Sequence, residues 1–271
     1  MENAIQVRIY SVFSFAVRLL DAFTKAAPLK GSIQLSLEGR KERPIAKGDG
    51  WLVFTDLPAG TYRLLVSSKE YITKMASIVV ATKQTDPSER LILLAPSPSY
   101  PFRSGDTLIR GVVFRPDGEP AAGAIVRARI RGEQDSAVKL AEQGEAGDVT
   151  LALYSPVGRI CPGDAFQPVP AEGSSAPIIR IAEAGKGWTH RLAEPLSGPL
   201  PRSTALLPLI ETSCDARGEF VLALPPSLGR ANGEAEIAIY AEGAGSLCKH
   251  QIVDGAATSV GSIRLAPLQK G

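Results

Sequence analysis

Two hexapeptides, Pro28–Ile33 (PLKGSI) and Pro120–Ile125 (PAAGAI), share one frame: proline, two residues, glycine, a small residue, isoleucine. Gly31 and Gly123 suit a point where the chain takes positive φ or escapes crowding as it re-enters a sheet. A frame that recurs ahead of an apolar run restricts the chain to a small set of folds. It predicts two β-sheet units in tandem, each opened by the same turn.

The rest of the sequence agrees with sheet and disagrees with helix. No long run places apolar residues at helical spacing while staying free of Gly and Pro, and Gly (26) and Pro (21) punctuate the whole chain. Short strand-like runs recur instead: Gln6–Val12, Ala16–Ala22, Ser32–Leu37, Trp51–Thr55, Tyr62–Ser67, Ala76–Ala81 and Leu91–Leu94. Turn clusters (KAAPLKG, KGDG, LPAG, KQTDPS) separate them. Tyr62, Leu64 and Val66 alternate, so one face of that strand should point inward. Seven strands at this spacing predict a β-sandwich over residues 1–96. PSPSYP (96–101) carries three prolines and predicts a semi-rigid linker over 97–105.

A second sandwich is predicted over 106–271. Leu108–Phe114 is a strand, and Pro116-Asp117-Gly118 holds the residues a tight turn needs. Ala124, Val126, Ala128 and Ile130 share a face opposite Ile125, Arg127 and Arg129, as in a strand with one wet side. The pattern blurs over 131–213, which reads as an insertion with strands of its own at Val149–Tyr154, Ile178–Ile181 and Ala205–Ile210. It resumes with DARGEFVLALP, where Phe220, Leu222 and Leu224 alternate, then Ala235–Ala241, Lys249–Val253 and Val260–Leu265. Gly243-Ala244-Gly245 reads as a hairpin tip.

The bulk numbers bound the function. With 30 basic and 28 acidic residues the net charge is +2, so nothing pulls the chain towards nucleic acid or an anionic membrane. No run approaches the ~18 apolar residues of a membrane span. Residues 5–20 read as strand rather than secretory signal, because the flanks lack a positive start and a small-residue cleavage site. Three cysteines (Cys161, Cys214, Cys248) make no disulfide framework; three reduced thiols, or one bridge and one thiol, are the readings open, the former the simpler. Aromatic residues are 6% of the chain, which argues against a sugar-stacking groove.

Catalytic chemistry finds no footing. The two histidines, His190 and His250, lie in no triad frame, and neither Gly-x-Ser-x-Gly nor a phosphate-binding glycine loop is present. Cys214, Asp215, Cys248 and His250 lack the close pairing of a zinc site. We therefore expect no catalytic, cofactor-binding or metal residues. Trp51 reads as core. Trp188 and His190, in AGKGWTHR, stand among polar and glycine residues and are the candidate partner contacts, with packing inside the insertion the other reading of Trp188.

GVVFRPDGEPAAGAIVRARI, DARGEFVLALP and VGSIRLAP together resemble the carboxypeptidase regulatory-like domain, a transthyretin-like β-sandwich. Gly111, Val113, Asp117, Gly118, Pro120, Gly123, Ala124, Val126, Asp215, Gly218, Phe220, Gly261, Ile263 and Leu265 occupy its motif positions. GDGWLVFTDLPAGTYRLLVSS in the first unit is similar to a looser copy. The resemblance implies an all-β protein of two tandem transthyretin-like or immunoglobulin-like sandwiches, and says little of function. A ring-opening hydrolase shares the transthyretin-like fold, but its closing Tyr-Arg-Gly-Ser is replaced here by LAPLQKG, so that activity is not expected. The first unit also resembles proteins of phage-tail-like contractile particles. The expectation is a non-catalytic adaptor, cytoplasmic and built into a larger assembly or homo-oligomer, with protein partners engaged by loops and open sheet edges. A surface glycan- or peptide-binding module is the alternative, and an accessory domain pair that once flanked an enzyme is a third reading.

Overall fold

Alternating side chains build a first pair of sheets. The computed structural model describes residues 11–31, 33–81, 89–132, 137–169, 177–229 and 232–267. Strands β1 (Phe13–Asp21), β2 (Gln34–Leu37), β3 (Ile45–Ala46), β4 (Trp51–Thr55), β5 (Gly60–Ser67), β6 (Lys74–Val80) and β7 (Glu89–Leu94) form two sheets, in the orders β3-β4-β1-β7 and β2-β5-β6. Tyr62, Leu64 and Val66 point inward as their spacing requires, and pack with Phe15, Phe54, Ile78 and Leu94. Phe15 and Phe54 stack at 4.6 Å between centroids. The predicted strand Gln6–Val12 falls outside the described residues except for Ser11 and Val12, which precede β1. Trp51, expected in the core, is only half-buried, because it lies on the outer side of β4 with the Arg18 guanidinium 5.9 Å from its ring.

The second sandwich repeats the connectivity of the first. Its outer strands are β8 (Leu108–Phe114), β9 (Ile125–Gly132), β16 (Glu219–Ala223), β17 (Gly233–Ala241), β18 (Ala244–Ile252), β19 (Ala257–Arg264) and β20 (Ala266–Pro267). In each unit the first strand lies between an antiparallel neighbour and a parallel closing strand: β4-β1-β7 in one, β16-β8-β19 in the other. The facing sheet is β2-β5-β6 in one and β9-β17-β18 in the other, antiparallel throughout. The shared frame PLKGSI/PAAGAI leads into the equivalent strands β2 and β9, with Gly31 at φ 75° and Gly123 at φ 74°. Turn chemistry follows the sequence here. Asp117 Oδ1 accepts from Glu119 N, and Asp215 Oδ1 accepts from both Arg217 N and Glu219 N.

The 131–213 region closes on itself. β10 (Val138–Leu140), β11 (Thr150–Tyr154), β12 (Ala165–Pro168), β13 (Ile179–Ala184), β14 (Thr189–Leu192) and β15 (Ala205–Ser213) pair in that ring order β10-β11-β14-β13-β12-β15, and β15 pairs back to β10. The result is a six-stranded barrel filled by Val138, Leu140, Leu151, Leu153, Phe166, Ile179, Ile181, Leu192 and Leu206. β15 outlasts the barrel. Its first residues pair with β10 and β12, and Leu209–Ser213 pair with β9 in the second sandwich. One strand thus belongs to both bodies.

The two sandwiches share a core at their junction. Leu108 and Ile109 are both buried, as are Val221, Leu222, Ala223 and Leu224. Consecutive buried residues mark a sheet covered on both faces. Ile109, Phe220, Leu222 and Leu224 fill the second core, whereas Leu108, Val221 and Ala223 pack into the first. The proline-rich connection is packed rather than extended. Tyr100 is buried in the first core, and its ring meets Tyr71, Phe23 and Phe102. The buried carboxylate of Asp21 ties this cluster together. It accepts from Tyr100 Oη (2.6 Å), Tyr71 Oη (2.9 Å), Phe23 N (2.8 Å) and Thr24 N (3.1 Å), which satisfies its lone pairs without a counter-ion.

The barrel is fastened to both sandwiches. Lys25 Nζ and Asp164 Oδ1 form an ion pair at 2.8 Å with both side chains buried. Asp164 Oδ2 also accepts from Cys161 N at 2.7 Å. Gly163, at φ 81°, lies so close to Leu93 of β7 that a Cβ would collide with that side chain. On the far side Arg159 N donates to Ser227 O at 2.8 Å.

Candidate functional site

The β13–β14 hairpin places the candidate contact residues. Its turn, Gly185-Lys186-Gly187, admits no larger residue at its start, since a Cβ on Gly185 would collide with the Thr189 carbonyl. The tight reversal lifts Trp188 off the barrel, where Leu153 N holds the Trp188 carbonyl at 2.7 Å. The indole is 60% exposed. It meets Tyr154, the last residue of β11 and 44% exposed, edge to face at 5.7 Å between centroids and 71° between planes. Two large rings thus stand in solvent, pinned against each other, on a strand end and a glycine-defined turn. Val149 and Val157 of the same barrel are also exposed. Tyr154 was not singled out from sequence, although it closes an alternating strand; its pairing with Trp188 spans 34 residues of chain and has no local signal.

His190 does not join this surface. β14 alternates exposed Thr189, buried His190, exposed Arg191 and buried Leu192, so the imidazole, 6% exposed, points into the barrel opposite Leu151. The expected contact role is corrected on that ground: a side chain inside the barrel cannot touch a partner. Burial lowers its pKa, opposed by the negative charge of Asp164, and among the described residues Nδ1 is buried with no hydrogen-bond partner. Burial thus favours the neutral ring in the barrel interior.

The remaining chemistry-bearing groups are dispersed. Cys248 and His250 share a face of β18, as their spacing predicts, but among the described residues no three of His, Cys, Asp and Glu gather closely enough to hold a metal. All three cysteines are free; Cys161 and Cys214 are buried and Cys248 half-buried. Burial, with Asp215 adding to it, pushes the Cys214 thiol up to about 12, so it is not a nucleophile at neutral pH. Among the described residues no helix is long and apolar enough to cross a membrane.

No family model matches the chain, and no curated protein matches it. Among solved structures it is similar to a streptococcal ancillary pilin, at 10% identity and a TM-score of 0.26, over 96% of this chain and 70% of that one. It is also similar to the Bacillus anthracis TIE protein (11%, TM-score 0.24, 94% of this chain and 50% of that one). The shaft pilin SpaA from Lactobacillus rhamnosus GG matches at 11% and 0.24, over 94% of this chain and 98% of that one.

Proposed function

We propose that the protein is a non-catalytic building block for protein assembly: a stiff frame of two sandwiches that holds a barrel-borne aromatic pair out for a partner. The observation that carries this reading is the Tyr154–Trp188 pair, exposed and packed ring against ring. Rigid aromatics concentrate binding energy at interfaces, because they offer large area at little conformational cost. The shared core, the Asp21 cluster and the buried Lys25–Asp164 pair support it by fixing where the barrel points. A spacer needs such fixity, and an isolated flexible module does not. The partner is a protein in a larger assembly or a second copy of the chain. A phage-tail-like contractile particle is the setting the sequence resemblance favours, with the protein made in the cytoplasm.

The test is sedimentation of the purified protein, alone and with host particles, beside Trp188→Ala and a photo-crosslinking residue at Tyr154. The proposal expects a defined oligomer or particle-bound fraction that Trp188→Ala abolishes without lowering the melting temperature, and a crosslink to protein. The same ring pair favours one alternative, a surface glycan-binding module, since exposed ring faces stack on sugars. Glycan binding by a strictly monomeric protein would move the reading there.

A further inference from the structure

A cleft of about 510 Å³ lies where the first sandwich, the barrel and the second sandwich meet. That volume falls within the range of ligand-sized clefts. One wall is β15, from which six successive residues, Pro208–Ser213, line the space. A strand seen from its face would contribute every second residue, so an unbroken run presents the strand's edge. The pairing agrees. β9 occupies one side of Leu209–Ser213, and on the other side β12 covers β15 only over Leu206–Pro208. Among the described residues Leu209–Ser213 therefore keep a free edge. Opposite stands β7, which contributes Arg90–Leu93 in an unbroken run and, among the described residues, pairs only with β1.

The charges are lopsided. Lys25, Lys74, Arg90 and Arg180 line the cleft against Asp164 and Glu211. Both carboxylates are engaged. Asp164 pairs with Lys25, while Glu211 accepts from Arg127 Nε at 2.7 Å and lies 3.5 Å from Arg180. Lys74 and Arg90 are exposed and make no hydrogen-bonded ion pair among the described residues. Lys74 adds its field to that of the two arginines at Glu211 without contacting it, and the lining as a whole sets four basic side chains against two acidic ones, an excess that favours negative charge from outside.

We propose that this cleft takes an extended acidic segment of a partner protein, added as a strand along the free edge of β15, with its carboxylates towards Lys74 and Arg90. Main-chain hydrogen bonds supply affinity in this mode and the flanking cations supply selectivity. The proposal extends the assembly reading to a second surface. The cleft shares no residue with the Tyr154–Trp188 pair, so each can fail while the other stands.

Fluorescence anisotropy with a labelled peptide of alternating valine and glutamate tests it on the full chain. Saturable binding is expected, weakened at least about tenfold by Lys74→Glu/Arg90→Glu, which turns two screened attractions into repulsions. The same peptide methylated at every backbone nitrogen should not bind, nor should a peptide of alternating valine and lysine. Circular dichroism and melting confirm the fold of the variant, whose two changes are at exposed positions; Arg90→Gln serves if the double reversal unfolds. Absence of saturable binding, equal binding of the lysine or methylated peptide, or indifference to the charge reversal would overturn the proposal.

Discussion

Tyr100→Phe isolates the contribution of the junction. The ring stays, with its contacts to Phe23, Tyr71 and Phe102, and only the hydroxyl that donates to Asp21 Oδ2 at 2.6 Å is lost. Asp21 is 1% exposed, so water cannot replace the donor cheaply. A hydrogen bond to a charged group contributes about 1.5–3 kcal/mol. Oδ2 keeps Tyr71 Oη, which places the expected loss near the middle, about 2 kcal/mol. The assay is urea unfolding at neutral pH, followed by fluorescence and by far-ultraviolet circular dichroism. A double-mutant cycle with Asp21→Asn completes it, and coupling of about 1 kcal/mol or more is expected. If the junction fuses the sandwiches, both probes give one transition in the parent protein and the variant lowers its midpoint. A change below about 0.3 kcal/mol, within the noise of independent sites, would refute the reasoning that Asp21 organises the connection.

Lys25→Met should cost about 3–5 kcal/mol by leaving Asp164 buried and unpaired, and Lys25→Met/Asp164→Leu should recover much of it; thermal melts of the two variants check this. Stability should fall at alkaline pH. Burial, with the Asp21 charge, raises the pKa of Tyr71 and Tyr100, so the stability they contribute is complete below the ordinary tyrosine value of 10.0 and drains as pH rises above it. The expected slope is about 1.4 kcal/mol per pH unit for each tyrosine, and Tyr71→Phe/Tyr100→Phe should flatten it in pH-dependent urea titrations. Thiol titration should find Cys248 reactive in the native protein and Cys161 and Cys214 protected until unfolding. Gly163→Ala should lower the melting temperature by forcing a side chain into Leu93 at a positive φ.

The two sandwiches were legible because their strands are half-buried. Tyr62-Leu64-Val66 and Val126-Ala128-Ile130 alternate, and the PLKGSI/PAAGAI frame marked equivalent strands. The barrel was only half legible. β11, β13 and β15 stood out as apolar runs, but β10, β12 and β14 have three or four residues each, too few to establish a period beside Pro and Gly. The shared core left a signal that alternation hid. Phe220, Leu222 and Leu224 were read as the inward face, while Val221 and Ala223 between them are equally buried, against the other sandwich. Tyr100 and Asp21 lie 79 residues apart, so a proline-rich stretch that reads as a spacer gives no hint of the carboxylate its tyrosine meets. Near the barrel turn, the polar, glycine-rich surroundings of Trp188 agree with its exposure, which is all the fold says of it. The sequence erred on His190, whose place in a four-residue strand fixes it inward.

Joined by a shared core and a buried ion pair, the two sandwiches and the barrel should move as one body. Pulsed electron-spin resonance between spin-labelled amino acids at Lys47 of the first sandwich and Lys186 of the barrel turn measures this directly. A single narrow distance distribution is predicted, broadening in Asp21→Ala/Lys25→Met. A broad or multimodal distribution in the parent protein would contradict it.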